Sequence, residues 1–90
     1  TRFRNVTGVQ TCALPISLDA RRLFGDDRPM QLEIGFGAGE HLAAQAEAAP
    51  GIGFIGCEPF LNGVVGALGH VRDRDLDNVR LHMGDALEIV

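Results

Sequence analysis

Apolar residues fall into short strand-like runs separated by stretches with helical spacing. Leu18–Phe24 has a short helical pattern, closed by Gly25 and the polar turn Asp26-Asp27-Arg28-Pro29. Met30–Ile34 reads as a strand. The Ala-rich stretch from Gly39 to Ala49 reads as a helix, with Leu42 and Ala46 one turn apart toward the sheet and Glu40 and Glu47 outward. Pro50-Gly51 stops it. Gly53–Cys57 is a nearly continuous apolar run, suited to a strand buried on both faces. A second helix is predicted over Phe60–Val71, a solvated link at Asp73-Arg74-Asp75, and a third strand over Val79–Met83. Gly84-Asp85 then turns into Ala86–Val90, which reads as the opening turn of a third helix.

This β-α-β-α-β order predicts an α/β fold with a parallel sheet. The second helix carries Gly63, Gly66 and Gly69, each unfavourable in a helix by about 1 kcal/mol against Ala. Their spacing of three allows a small-residue stripe that lets the helix approach something closely, but the preferred reading is a weak helix that depends on packing.

Residues 1–17 do not join this pattern. Val6–Ile16 has no clean period of 2 or 3.6 and resembles the in-frame translation of a common short-read sequencing adaptor. The alternative is a natural irregular arm. Either way residues 1–17 are expected to stay irregular and carry no function, leaving 18–90 as a partial domain of a larger protein. Ninety residues with a net charge of −4 give no basic footprint for nucleic acid in this segment itself. All eight basic residues are Arg. Cys12 and Cys57 have neither metal nor redox spacing, which fits a reducing, cytoplasmic setting. No stretch reaches the roughly 20 apolar residues of a membrane span.

The chemistry sits where strands end. After Met30–Ile34 come Gly35-x-Gly37-x-Gly39 and at once a helix. In the dinucleotide fingerprint G-x-G-x-x-G the third glycine would fall on Glu40, and a carboxylate is a poor neighbour for a pyrophosphate on a helix N-terminus. The spacing therefore favours a ligand without phosphate that still needs close backbone approach. S-adenosylmethionine is such a ligand, and Glu33, two residues before the first glycine, suits its cationic sulfonium and amino groups. Glu58 ends the second strand, 25 residues after Glu33, where an ionised carboxylate can accept from ribose hydroxyls; the alternative is a surface acid capping a turn before Pro59. Asp85, after the third strand, can accept from an adenine amino group or cap the following helix, and the two roles can coexist. His41 and His82 lack a nucleophile partner and read as surface or packed histidines; Cys57 reads as a small core residue.

Three segments carry a family resemblance: Leu32–Leu42 (LEIGFGAGEHL), Phe54–Gly63 (FIGCEPFLNG), and Asn78–His82 with Gly84-Asp85-Ala86. Together they resemble the bacterial tRNA (guanine-N7)-methyltransferase family, class I enzymes that use S-adenosylmethionine. The resemblance implies the N-terminal half of a Rossmann-like class I methyltransferase fold. It implies that Glu33, Glu58 and Asp85 contact the cofactor, with Gly35, Gly37 and Gly39 bringing backbone to it. It implies transfer of a methyl group to N7 of a variable-loop guanine in tRNA, with no metal and no membrane. The family's catalytic aspartate, in a PDPW-like motif, is expected beyond Val90, so no catalytic residue is assigned here and the segment alone is expected to be inactive. Guanine N7 carries a lone pair and no proton, so such chemistry rests mainly on positioning and electrostatics. Two departures stand out. Cys57 replaces a usual aliphatic residue, and the upstream basic region is missing. The alternatives are another class I methyltransferase acting on a small molecule or protein, a nucleotide-binding module such as a dehydrogenase fragment, or a non-functional truncated product.

Overall fold

A computed structural model describes residues 18–89; the N-terminal stretch 1–17, expected from the sequence to be irregular, and Val90 lie outside the described residues. Six elements form one α/β unit around three parallel strands: α1 (Ala20–Phe24), β1 (Met30–Ile34), α2 (Glu40–Ala48), β2 (Gly53–Glu58), α3 (Leu61–Asp73) and β3 (Val79–Met83) alternate as the sequence predicts, with the short α1 as a lead-in. A 3₁₀ turn over Ala86–Glu88 stands where the opening of a third helix is predicted. β2 is central, in the order β1-β2-β3. The register sets Leu32 beside Ile55 and Glu33 beside Gly56 on one side, and Ile55 beside Arg80 and Gly56 beside Leu81 on the other. This is half of a doubly wound sheet.

Each face of the sheet has its own core. On one, Leu18, Ala20, Met30, Leu32, Ile55, Cys57 and Ala86 cluster, with α1 laying Leu23 and Phe24 against them. On the other, Leu42 and Ala46 of α2 and Ala67 of α3 meet Phe36, Phe54 and Val79. Leu18, Met30, Leu32 and Leu42 are fully buried, and a side chain of that size stabilises by about 1.5–3 kcal/mol on burial. β2, predicted as a two-faced strand, is buried along its whole length. α1 starts two residues later than its helical pattern because Asp19 caps it, its side chain accepting from the Arg21 N–H at 3.0 Å.

The end of the sheet where β2 and β3 begin is closed by Asn78. Its Nδ2 group donates toward the carbonyls of Ala46, Ala49 and Ile52 at 2.9–3.1 Å, and its backbone carbonyl accepts from the Phe54 N–H at 2.8 Å. One side chain thus ties the end of α2, the Pro50-Gly51 turn and the start of β3 together. Arg80, on the α1 face, donates from Nε to the Leu23 carbonyl at 2.9 Å and lies 4.6 Å from the centre of the Phe24 ring. The ring contact and the hydrogen bond hold α1 to the edge strand.

Candidate functional site

The opposite end, where the strands terminate, gathers the chemistry. Gly35, Gly37 and Gly39 all have φ between +64° and +86°. A left-handed backbone costs an ordinary L-residue roughly 1–2 kcal/mol, so three alternate left-handed positions explain three alternate glycines. The turn is pinned at its start, where the Gly35 N–H donates to the Cys57 carbonyl at 2.7 Å. It is pinned in the middle by Glu58, whose Oε1 accepts from the Gly37 N–H at 2.9 Å. At its end Gly39 becomes the N-cap of α2 without any side-chain cap.

The three glycines serve different ends. A Cβ on Gly35 or Gly37 would meet nothing within 4 Å, so backbone faces open space there. A Cβ on Gly39 would lie 2.5 Å from the Ala67 Cβ. Gly39 is therefore packed against α3, and its missing side chain lets the two helices meet.

Glu58 is 94 % buried, and both carboxylate oxygens are engaged. Oε1 takes the Gly37 N–H; Oε2 takes the Phe60 N–H at 3.3 Å, which is the turn-capping role the sequence allowed. Its backbone carbonyl also accepts from the Gly84 N–H at 3.0 Å, tying the end of β2 to the end of β3. Two ionised oxygens offer about four acceptor positions, so two N–H donors leave capacity for hydroxyl groups. Glu33 lies on the same face of the sheet, half-buried, one position before the end of β1; its side chain has no hydrogen-bond or ion-pair partner among the described residues. Asp85 is exposed and caps the 3₁₀ turn, accepting from the Leu87 N–H at 3.0 Å. A cavity of about 310 Å³ opens between these strand ends, lined by Ile34, Gly35, Pro59, Gly84, Asp85 and Ala86. That is the lower end of the size range of small-molecule sites.

The structure thus brings Gly37 to Glu58, and Gly35 to Asp85 across the cavity; Glu33 does not line that cavity and stands next to Gly56 in the sheet with an unengaged carboxylate. Beneath the site, Cys57 is fully buried in the α1-side core, as the sequence suggested. Burial pushes its thiol up to about 11, helped by the nearby charges of Asp85 and Glu88. His41 is exposed and shares a 3.0 Å hydrogen bond with Gln45, away from the cavity lining. His82 pairs with Glu88 at 2.7 Å on the α1 face. His82 stands beside Cys57 in the β2–β3 register, but its Nε2 hydrogen bond goes to Glu88.

Sequence reasoning preferred a weak, packing-dependent helix as the reading of the α3 glycines, and the structure corrects it for Gly63 and Gly66, which permit a close approach. Gly63 and Gly66 lie against the glycine turn: a Cβ on Gly63 would overlap the Gly37 carbonyl oxygen, and one on Gly66 would lie 3.1 Å from that of Ala38. The signal was the small-residue spacing itself; its target, 26 residues upstream of Gly63, was not legible locally.

The arrangement suits a ligand without phosphate better than a dinucleotide. Backbone is open at Gly35 and Gly37, and carboxylates stand where a pyrophosphate would need positive groups. Among the described residues no cluster of side chains is suited to a metal ion, and no helix is long and apolar enough to cross a membrane.

Comparison with known proteins points the same way. Residues 27–90 match the family described as "Putative methyltransferase". The chain is 61 % identical over 74 residues to the tRNA (guanine-N(7)-)-methyltransferase of Zymomonas mobilis, covering 82 % of this chain and 32 % of that protein. It is 55 % identical over 85 residues to the protein of the same name from Sphingopyxis alaskensis, covering 87 % of this chain and 36 % of the relative. The chain spans about a third of the length of these curated relatives. With the matched segment running from Asp27 through all three strands and the glycine turn, the chain belongs to this methyltransferase family.

Proposed function

We propose that this chain is the cofactor-binding segment of a tRNA (guanine-N7)-methyltransferase. The observation that carries the reading is an open-faced glycine turn held by Glu58, next to a strand-end cavity that Gly35 and Asp85 line, in a chain whose relatives bear that name. S-adenosylmethionine supplies an electrophilic methyl group when bound. Gly35 and Gly37 present backbone to it without an intervening side chain. Glu33 offers a charge for its cationic end. Glu58 uses its remaining acceptor positions for ribose hydroxyls, and Asp85 accepts from the adenine amino group while it caps the 3₁₀ turn. Gly39 keeps α2 seated so that the turn holds its shape. The tRNA substrate and the group that acts on it belong to the remaining two thirds of the parent, and the working site is cytoplasmic.

The test is a chimera in which this segment replaces its match in the Zymomonas mobilis relative. Calorimetric titration should show binding of S-adenosylhomocysteine and none of NAD. Incubation with unmodified tRNA and S-adenosylmethionine should yield N7-methylguanosine, while the 90-residue chain alone should yield none. A chimera that bound NAD in preference, or methylated no tRNA while folding normally, would refute the reading.

A further inference from the structure

The three glycines of α3 face different surroundings. A methyl group at Gly69 would meet only the far end of Arg72, at 3.9 Å. At Gly66 it would lie 3.1 Å from the Ala38 carbonyl oxygen. At Gly63 it would overlap the Gly37 carbonyl oxygen and come within 2.9 Å of Glu58 Cγ. Gly37 is therefore held on both sides by one short stretch of chain. Its N–H is taken by Glu58 at 2.9 Å, and its carbonyl lies against the bare Cα of Gly63 in the first turn of the next helix. Helix propensity opposes all three glycines equally, so propensity cannot explain a contact that tightens from Gly69 to Gly63.

We propose that Gly63 is a positioning residue for cofactor binding: by lacking a side chain it lets α3 seat the Gly37 carbonyl, and with Glu58 it fixes the orientation of the glycine turn that meets the cofactor. The inference rests on the cofactor reading given above. Close-packed backbone has little room to yield, so a methyl group at Gly63 displaces either the turn or the start of α3. Both movements reach the Glu58–Gly37 hydrogen bond.

Gly63→Ala, Gly66→Ala and Gly69→Ala in the chimera test this. S-adenosylhomocysteine affinity should fall at least tenfold in the first, a few fold in the second and not at all in the third. The KM for S-adenosylmethionine should rise in the same order while the KM for tRNA holds. A structural role alone would not produce that split. In ¹⁵N–¹H spectra without ligand, the Gly37 amide resonance should move in Gly63→Ala and stay in Gly69→Ala. Thermal melts check folding; should Gly63→Ala not fold, Gly66→Ala decides, and unchanged affinity there overturns the proposal. Equal losses in all three variants, or parental affinity in a folded Gly63→Ala, also overturn it. A parental chimera that binds no S-adenosylhomocysteine sinks the cofactor reading and this inference together, whereas a binding parent with an indifferent Gly63→Ala sinks this inference alone.

Discussion

Asn78 and Glu58 are the two buried polar side chains among the described residues, 1 % and 6 % exposed, and they sit at opposite ends of the same sheet. Asn78 is a donor whose Nδ2 group converges on three carbonyls, and its N–H capacity is spent. Glu58 is an acceptor holding two N–H groups, with lone pairs to spare, one residue before Pro59 of the cavity lining. Both obey the rule that buried polar groups are paired. They differ in what remains afterward. A spent donor locks a junction, whereas a carboxylate with lone pairs to spare at the glycine turn is equipped to take a ligand. Burial alone does not distinguish structure from site; the leftover hydrogen-bonding capacity does.

The largest expected effect is at the locked end. Asn78→Asp keeps the shape but turns a donor into a carboxylate facing three carbonyls, and should cost the chimera about 3–5 kcal/mol in urea denaturation, as an uncompensated buried charge does. Its affinity for S-adenosylhomocysteine, where folded, should match the parent. Should Asn78→Asp weaken binding while sparing stability, the division between the two ends fails. At the open end the effect should reverse its target. Glu58→Ala should lower affinity roughly ten- to a hundredfold, equivalent to about 1.5–3 kcal/mol, with a smaller loss of stability. Glu33→Ala should act on affinity with almost no change in stability, since no protein group depends on its carboxylate. Calorimetric titration beside denaturation separates the two quantities.

Cys57 sharpens the comparison by asking whether the face beneath Glu58 is dry. The folded state holds its thiol protonated up to about 11, against an ordinary value of 9.0. The unfolded chain therefore ionises first as pH rises, so this contribution is intact below pH 9.0 and is lost toward pH 11. With neither Lys nor Tyr in the segment, few other groups titrate in that window. Stability of the 90-residue chain should fall by about 1–2 kcal/mol across it, and Cys57→Val should flatten the curve. An unchanged slope in Cys57→Val would show that water reaches the thiol. The smallest effect belongs to His41→Ala, which touches the first turn of α2 but not the cavity lining and should leave binding within twofold of the parent.

Much of this was written locally in the chain. β1 and β3 begin and end where their patterns do, because apolar residues alternate with polar ones along each, the period of a strand. β2 runs one residue past its predicted end, to Glu58, since a carboxylate that finds two N–H partners can be buried in a strand. α3 starts one residue later and ends two later than its pattern, Asp73 still fitting the last turn. Glu33, Glu58 and the glycine turn could be read as a site because each lies at a strand end, a position the alternation of elements itself defines. Asn78 could not. It follows a polar link and looks like any turn residue, and its partners lie 26 to 32 residues upstream. Glu58's hold on Gly37 was hidden in the same way, across 21 residues.

The three left-handed glycines also bear on how this segment can vary through its gene. A single-base change in a glycine codon reaches alanine, valine, serine, cysteine, arginine, tryptophan, aspartate or glutamate. Asparagine, the residue that best replaces glycine at positive φ, lies two changes away. Aspartate is the reachable residue that tolerates such a backbone, and at Gly37 it would set a new carboxylate beside the one that already holds the turn. Positions 35, 37 and 39 are therefore isolated in mutational space: nearly every single step away from glycine is strained or repelled, whatever cofactor the turn receives.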